Sequence, residues 1–157
     1  LEEMDDGHAH ELVELGIGAL VGVVVVLGGA VDIGDVDDVL QGLAQGFVLQ
    51  SVVHPAAAVA PSASIGAGTL IMPGAVVNAD ARIGPNAIIN SGAVVEHDCD
   101  VGEGVHVAPG AVLCGGACVG ACALVGAGAV VLPGVKVGPA RLVKAGTVAT
   151  RNVEQDD

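Results

Sequence analysis

The sequence has almost no aromatic side chains: one Phe, no Tyr and no Trp in 157 residues. A core that takes its buried area from large rings is therefore excluded. Basic residues are also scarce, five against 18 acidic ones, giving a formal net charge of −13. So acidic a chain repels phosphate backbones, which excludes nucleic acid as an expected partner. The start is acidic rather than basic, so no cleavable signal peptide is expected. Cysteine is limited to Cys99, Cys114, Cys118 and Cys122. Their spacing fits no zinc knuckle or ribbon, so reduced thiols and no metal are expected. Residues 15–31 form a run of 17 positions without a charge. That is the short limit for a membrane span. The run holds five glycines and is flanked by acids (Glu11, Glu14, Asp32, Asp35). It reads as buried β structure, with no membrane span.

What is abundant is small and aliphatic. Apolar residues make up 52% and glycine supplies 25 positions. Glycine does not recur at every third position, which excludes collagen, and the apolar content excludes disorder. A period of six dominates instead. Val59, Ile65, Ile71, Val77, Ile83, Ile89, Val95, Val101, Val107, Leu113, Val119, Val125, Val131, Val137 and Val143 follow one another without a slip. Two residues before each stands a second, smaller lane, for example Ala75, Ala81, Ala87, Ala93 and Cys99. Pro and Gly punctuate the hexads, as at Pro73-Gly74 and Pro109-Gly110. Alternation within a hexad is a strand signal, and the punctuation ends each strand after a few residues. A six-residue unit is too short for a hairpin with its own core. It serves as one side of a coil, three units to the turn, stacked on the coil below. The predicted fold is mainly β: a parallel β-helix of about five coils, filled by Val, Ile and Ala.

Within this repeat several local sequences are distinctive. They are Val53-His54-Pro55, Ile71-Met72-Pro73-Gly74-Ala75-Val76-Val77-Asn78-Ala79, Asn90-Ser91-Gly92-Ala93-Val94-Val95-Glu96-His97-Asp98-Cys99 and His106-Val107-Ala108-Pro109-Gly110-Ala111. Together they resemble the hexapeptide-repeat sugar O/N-acetyltransferases that act on sialic acids and on nucleotide-linked 4-amino sugars. The general rule for parallel crossovers is right-handed; the resemblance implies a left-handed parallel β-helix. It also implies acetyl-CoA as co-substrate, a nucleotide-sugar or sialic-acid-type acceptor, a homotrimer and a cytoplasmic location. His97 is the expected general base, because its pKa lies nearest neutrality. Asp98 is expected to hold one of its ring nitrogens, with Glu96 a competitor for that role and otherwise a substrate contact. The resemblance places His106 on acetyl-CoA, reached from a neighbouring subunit, and Asn90 near the acceptor. Gly115, one coil beyond His97, is a candidate backbone donor to the thioester or oxyanion. Ala127 and Ala145 match backbone contacts to the CoA arm. Lys136, Arg141, Lys144 and Arg151 gather in the last 22 residues, where CoA phosphates are expected or where they simply add surface charge.

The charge is uneven. Residues 1–50 hold ten acids and no Lys or Arg; residues 51–157 hold eight acids and five bases. This divides the chain into a region 1–50, a β-helix acetyltransferase domain 51–150 and an acidic tail 151–157. By the resemblance, 1–50 is a shortened Rossmann-like sugar-binding region, with a glycine turn at Gly7 entering a helix and a second helix near Asp35–Leu40. Two rival readings stand beside the acetyltransferase. One is a non-catalytic β-helix scaffold or binding module. The other is a zinc carbonic anhydrase of the same fold, which needs three converging His. The five His here show no close pair inside the repeat.

Overall fold

A computed structural model describes residues 12–17, 20–27 and 48–154 of the chain. The hexads form strands of two residues, each followed by a two-residue turn. Up to the last coil, each hexad strand pairs in parallel with the strand 18 residues on, so three hexads make one coil. Three sheets result, two of six strands and one of five. The first face runs from Val52–Val53 through Leu70–Ile71, Ile88–Ile89, His106–Val107 and Leu124–Val125 to Leu142–Val143. The second carries Ala58–Val59, Val76–Val77, Val94–Val95, Val112–Leu113, Val130–Val131 and Val148–Ala149. The third carries Ser64–Ile65, Arg82–Ile83, Asp100–Val101, Cys118–Val119 and Lys136–Val137. The expected parallel β-solenoid of about five coils is what the chain forms.

Both sequence lanes point inward. Ile71, Val77, Ile89, Val95, Val101, Val107, Leu113, Val125 and Val131 are at most 1% exposed, as are Ala75, Ala81, Ala87 and Ala93. Alternating aliphatic and small residues fill a narrow interior in which a ring has no room. Thr69 is the buried polar member of the small lane. Its hydroxyl donates to Gly84 O at 2.8 Å and accepts from Ala87 N at 3.2 Å, which satisfies it. Cys99 is likewise inside, its thiol donating to Cys114 O at 3.2 Å. The four cysteines are free thiols.

The turns have a strict grammar. The second turn residue takes positive φ in fourteen hexads, nine times as Gly and otherwise as Asp80, Asn86, Asp98, Cys122 or Ala140. The first turn residue donates no backbone N–H to the ladder: no backbone partner stands against this phase among the described residues. All seven prolines of the chain (Pro55, Pro61, Pro73, Pro85, Pro109, Pro133, Pro139) occupy it, where a missing donor costs nothing. Between the third and first faces, glycines at 66, 84, 102 and 120 stack so tightly that a Cβ would fall 2.4–2.7 Å from backbone of the next coil.

The N-terminal region differs from expectation. Leu12–Ile17 (β1) pairs antiparallel with Leu20–Leu27 (β2), which pairs antiparallel with Val48–Gln50 (β3). The β structure expected in residues 15–31 is present at these strands. A Rossmann-like half has parallel strands joined by helices, and residues 12–17 are strand where the resemblance implied helix. A Val-rich run such as Val23–Val26 favours strand through its β-branched side chains. Residues 7–11 and 35–40, where the helix starts were expected, lie outside the described residues. At the other end, Val153 bridges Val137 in parallel, and Asn152 Oδ1 accepts Lys136 N at 3.0 Å. The segment read as a tail thus begins as an added rung on the last coil.

Candidate active site

The second corner, between the second and third faces, carries Ala79, His97, Gly115 and Pro133 one coil apart. His97 occupies a first-turn position, so its side chain leaves the barrel rather than filling it. Asp98 follows at φ 59°, a conformation that Asp tolerates better than most residues and that glycine usually fills in this fold. This places the Asp98 carboxylate beside the ring: His97 Nδ1 and Asp98 Oδ2 are 2.7 Å apart. The side chains are 63% and 66% exposed, so the pair contributes little to stability. Its effect is chemical. The hydrogen bond with Asp98, helped by the charge of Glu96, holds the His97 pKa above its ordinary value. A ring that donates Nδ1–H to a carboxylate keeps Nε2 as the proton acceptor.

Asp98, not Glu96, is therefore the partner of His97. Glu96 Oε2 accepts from Asn78 Nδ2 at 2.9 Å, across one coil. Asn78 carries no chemistry that marks it in the sequence; its place 18 residues before Glu96 is the signal that pairs them.

Gly115 is the position over which the His97 ring lies. A Cβ there would fall 2.7 Å from both Cε1 and Nε2 of His97. Glycine is required so that the ring can pack on the next coil. Its N–H belongs to the proline phase and has no backbone acceptor among the described residues. A basic nitrogen and a free backbone donor thus share one patch. Ala127 and Ala145 stand at the same phase of the first corner, between the first and second faces, with their N–H groups equally unclaimed.

On the first face, His106 is half-buried. Desolvation lowers its pKa, the opposite of His97. Asn90 Nδ2 lies 3.0 Å from His106 Nε2, and Asn90 Oδ1 accepts Ser91 N at 2.8 Å. Asn90 and His106 thus form one cluster and His97, Asp98, Glu96 and Gly115 another. The buried Cys99 thiol, pushed up to about 11 by desolvation, stays protonated and is no nucleophile. Among the described residues no group of three His, Cys, Asp or Glu is placed to hold a metal ion. No helix among them is long and apolar enough to cross a membrane.

Residues 62–97 and 80–115 match the family described as bacterial transferase hexapeptide (six repeats). Those residues of the solenoid are hexapeptide repeats of this kind, and similar solved structures include a perosamine N-acetyltransferase and the acetyltransferase domain of PglB. Perosamine N-acetyltransferase from Caulobacter crescentus, solved with CoA and GDP-perosamine, is 45% identical, with a TM-score of 0.71 over 73% of this chain and 55% of that one. Mutants of that enzyme at a single histidine have also been solved with CoA and GDP-perosamine. The acetyltransferase domain of PglB from Neisseria gonorrhoeae, in complex with acetyl coenzyme A, is 36% identical, with a TM-score of 0.71 over 74% of this chain and 57% of that one. The chain thus spans little more than half the length of these relatives. No curated protein sequence matches it.

Proposed function

We propose that the chain transfers acetyl from acetyl-CoA to the amine of a nucleotide-linked sugar, with O-acetylation of a hydroxyl, on such a sugar or on a sialic-acid-type acceptor, as the second choice. The observation that carries this is the His97–Asp98 pair set against Gly115. Acetyl transfer needs a base for the nucleophile's proton and a donor for the tetrahedral oxyanion. His97 Nε2 takes the proton from the attacking amine, Asp98 steadies the imidazolium formed, and Gly115 N–H faces the thioester oxygen; the tetrahedral adduct then collapses with cleavage of the C–S bond, and CoA leaves as the thiol, taking the proton back from His97. The free N–H groups of Ala127 and Ala145 suit the amide-rich pantetheine arm. Glu96, held by Asn78, offers a carboxylate to the incoming amine. His106 with Asn90 lies on the side where acetyl-CoA and acceptor meet. The relatives' CoA, acetyl-CoA and GDP-perosamine complexes support this assignment of ligands.

A homotrimer of left-handed solenoids accounts for the outer surface. At the outward phase the first face carries Val52, Ile88, His106, Leu124 and Leu142, with Leu70 already buried in the single chain; the second carries Ala58 and five valines. The third face shows Ser64, Arg82, Asp100, Cys118 and Lys136 instead. Packing the first face of one copy on the second face of the next covers both apolar lanes and leaves the charged face in water. The His97 corner, at the outer edge of the second face, then lies against the neighbour's first face, which carries His106. Donor and acceptor of this kind are cytoplasmic metabolites, so we place the enzyme there. Residues 1–50 are then a partner region for the sugar nucleotide, 51–150 the catalytic domain and 151–157 its C-terminal end.

The test is thiol release from acetyl-CoA in the presence of a nucleotide-linked 4-amino sugar. Wild-type protein should release thiol, and His97→Ala should lose about 100-fold or more of that rate while remaining folded. Absence of any His97-dependent release, with amino and hydroxy sugars alike, would favour the scaffold reading.

A further inference from the structure

We propose that Asn90 is a positioning residue that fixes the tautomer of His106, making that ring a neutral hydrogen-bond donor at Nδ1 and withholding it from acting as a base. The argument begins at Ser91. Its N–H belongs to the phase that the ladder leaves free, and it donates instead to Asn90 Oδ1 at 2.8 Å. That contact commits the amide oxygen. The group 3.0 Å from His106 Nε2 is therefore the amide nitrogen. An amide NH₂ can only donate, so Nε2 must offer its lone pair and the ring proton sits on Nδ1. A doubly protonated ring would set N–H against N–H across this contact. The half-buried setting disfavours the imidazolium as well.

His97 shows the complementary arrangement. Its Nδ1–H goes to Asp98 Oδ2 at 2.7 Å, leaving Nε2 open. Both rings carry their proton on Nδ1, yet they present opposite functions: His97 a lone pair, His106 an N–H. One ring can accept the nucleophile's proton. The other can only donate, to an oxygen of the thioester or of the acceptor. The tautomer stands on the geometry alone; its use in acetyl transfer rests on the function proposed above. Asn90, near the acceptor by the resemblance, acts in this way through His106.

The test uses the full chain labelled with ¹⁵N at histidine. Long-range ¹H–¹⁵N spectra near neutral pH distinguish protonated from unprotonated ring nitrogens, and His106→Gln identifies the His106 signals by their loss. The expected wild-type result is a protonated Nδ1 and an unprotonated Nε2 in His106. Asn90→Asp replaces the donating nitrogen with an accepting oxygen, so the His106 proton should move to Nε2 or a second one should bind. Its kcat/KM with acetyl-CoA and amino sugar should fall about tenfold or more. A wild-type His106 protonated at Nε2, or an unchanged tautomer in Asn90→Asp, overturns the inference. If Asn90→Asp does not fold, the wild-type spectrum decides alone. If the wild-type protein releases no thiol, the acetyl-transfer reading fails while the tautomer is judged by the spectra.

Discussion

Asp98 occupies a backbone position that nine of its thirteen counterparts give to glycine. A non-glycine residue at φ 59° costs something unless its side chain is needed. Asp98→Gly is thus a substitution that relieves the backbone and removes only the carboxylate. Its melting temperature should equal or slightly exceed that of the wild type. Its kcat/KM should fall about 10- to 100-fold. The pH profile supplies the sign. The Asp98 hydrogen bond raises the pKa of His97, so without it the pKa falls. The limb of the profile that requires neutral His97 then moves to lower pH. An unmoved limb, measured as kcat/KM against pH, would show that His97 is not the titrating base. At this scale the sequence was informative in type and incomplete in geometry. His97 and Asp98 were legible as neighbours, but Glu96 competed with Asp98 until the bond from Asn78 gave Glu96 a different partner. Asn78 and Ser91 are not legible in the sequence because each acts through a contact and carries no chemistry of its own.

A hexad is stable only because the next coil covers it, and the closest cover is at the glycine column. At Gly102 a Cβ would lie 2.7 Å from Ala121 N and 3.0 Å from its Cα. Those are backbone atoms of a turn held on either side by the bonds from Gly120 N and Cys122 N, and they cannot swing aside as a side chain can. Gly102→Ala should therefore destabilise by about 1–3 kcal/mol, as overpacking does. Thermal melting followed by circular dichroism reads it, and an unchanged transition would mean that the coils are looser than this spacing requires. Strands, inward lanes and turns were all legible, since a period of six repeated fifteen times leaves one way to bury the aliphatic lane. The proline phase was visible too, yet its meaning was not. Only the ladder shows that this N–H is unused, which gives Gly115, Ala127 and Ala145, expected as backbone contacts, donors that no backbone carbonyl claims.

Across the whole molecule, the first and second faces are apolar outward and the third is charged. Val52, Leu142 and Val148 are 43–54% exposed on the single chain, and Leu124 lies partly buried among them. Leu124→Lys should set a charge into the contact between copies. The expected outcome is a smaller species in sedimentation, with unchanged circular dichroism and little remaining thiol release. A Leu124→Lys protein of unchanged mass would remove the first face from the interface. The N-terminal region marks the limit of the sequence reading at this scale. A Val-rich, glycine-containing run specifies strand through its branched side chains, but not how those strands pair. Resemblance implied a parallel, helix-joined unit; β1, β2 and β3 pair antiparallel.

By itself, the sequence determined the period, the interior and the absence of rings from it. A spacing of six with a small residue two places back has a single close-packed solution, and that solution has no space for an aromatic side chain. Tertiary structure alone decided which groups meet. Residues 18 apart become neighbours only when coils stack. That stacking laid the His97 ring over Gly115, drew Glu96 to Asn78 and turned Asn90 toward His106. These contacts depend on ångström distances between coils, which a repeat pattern does not specify.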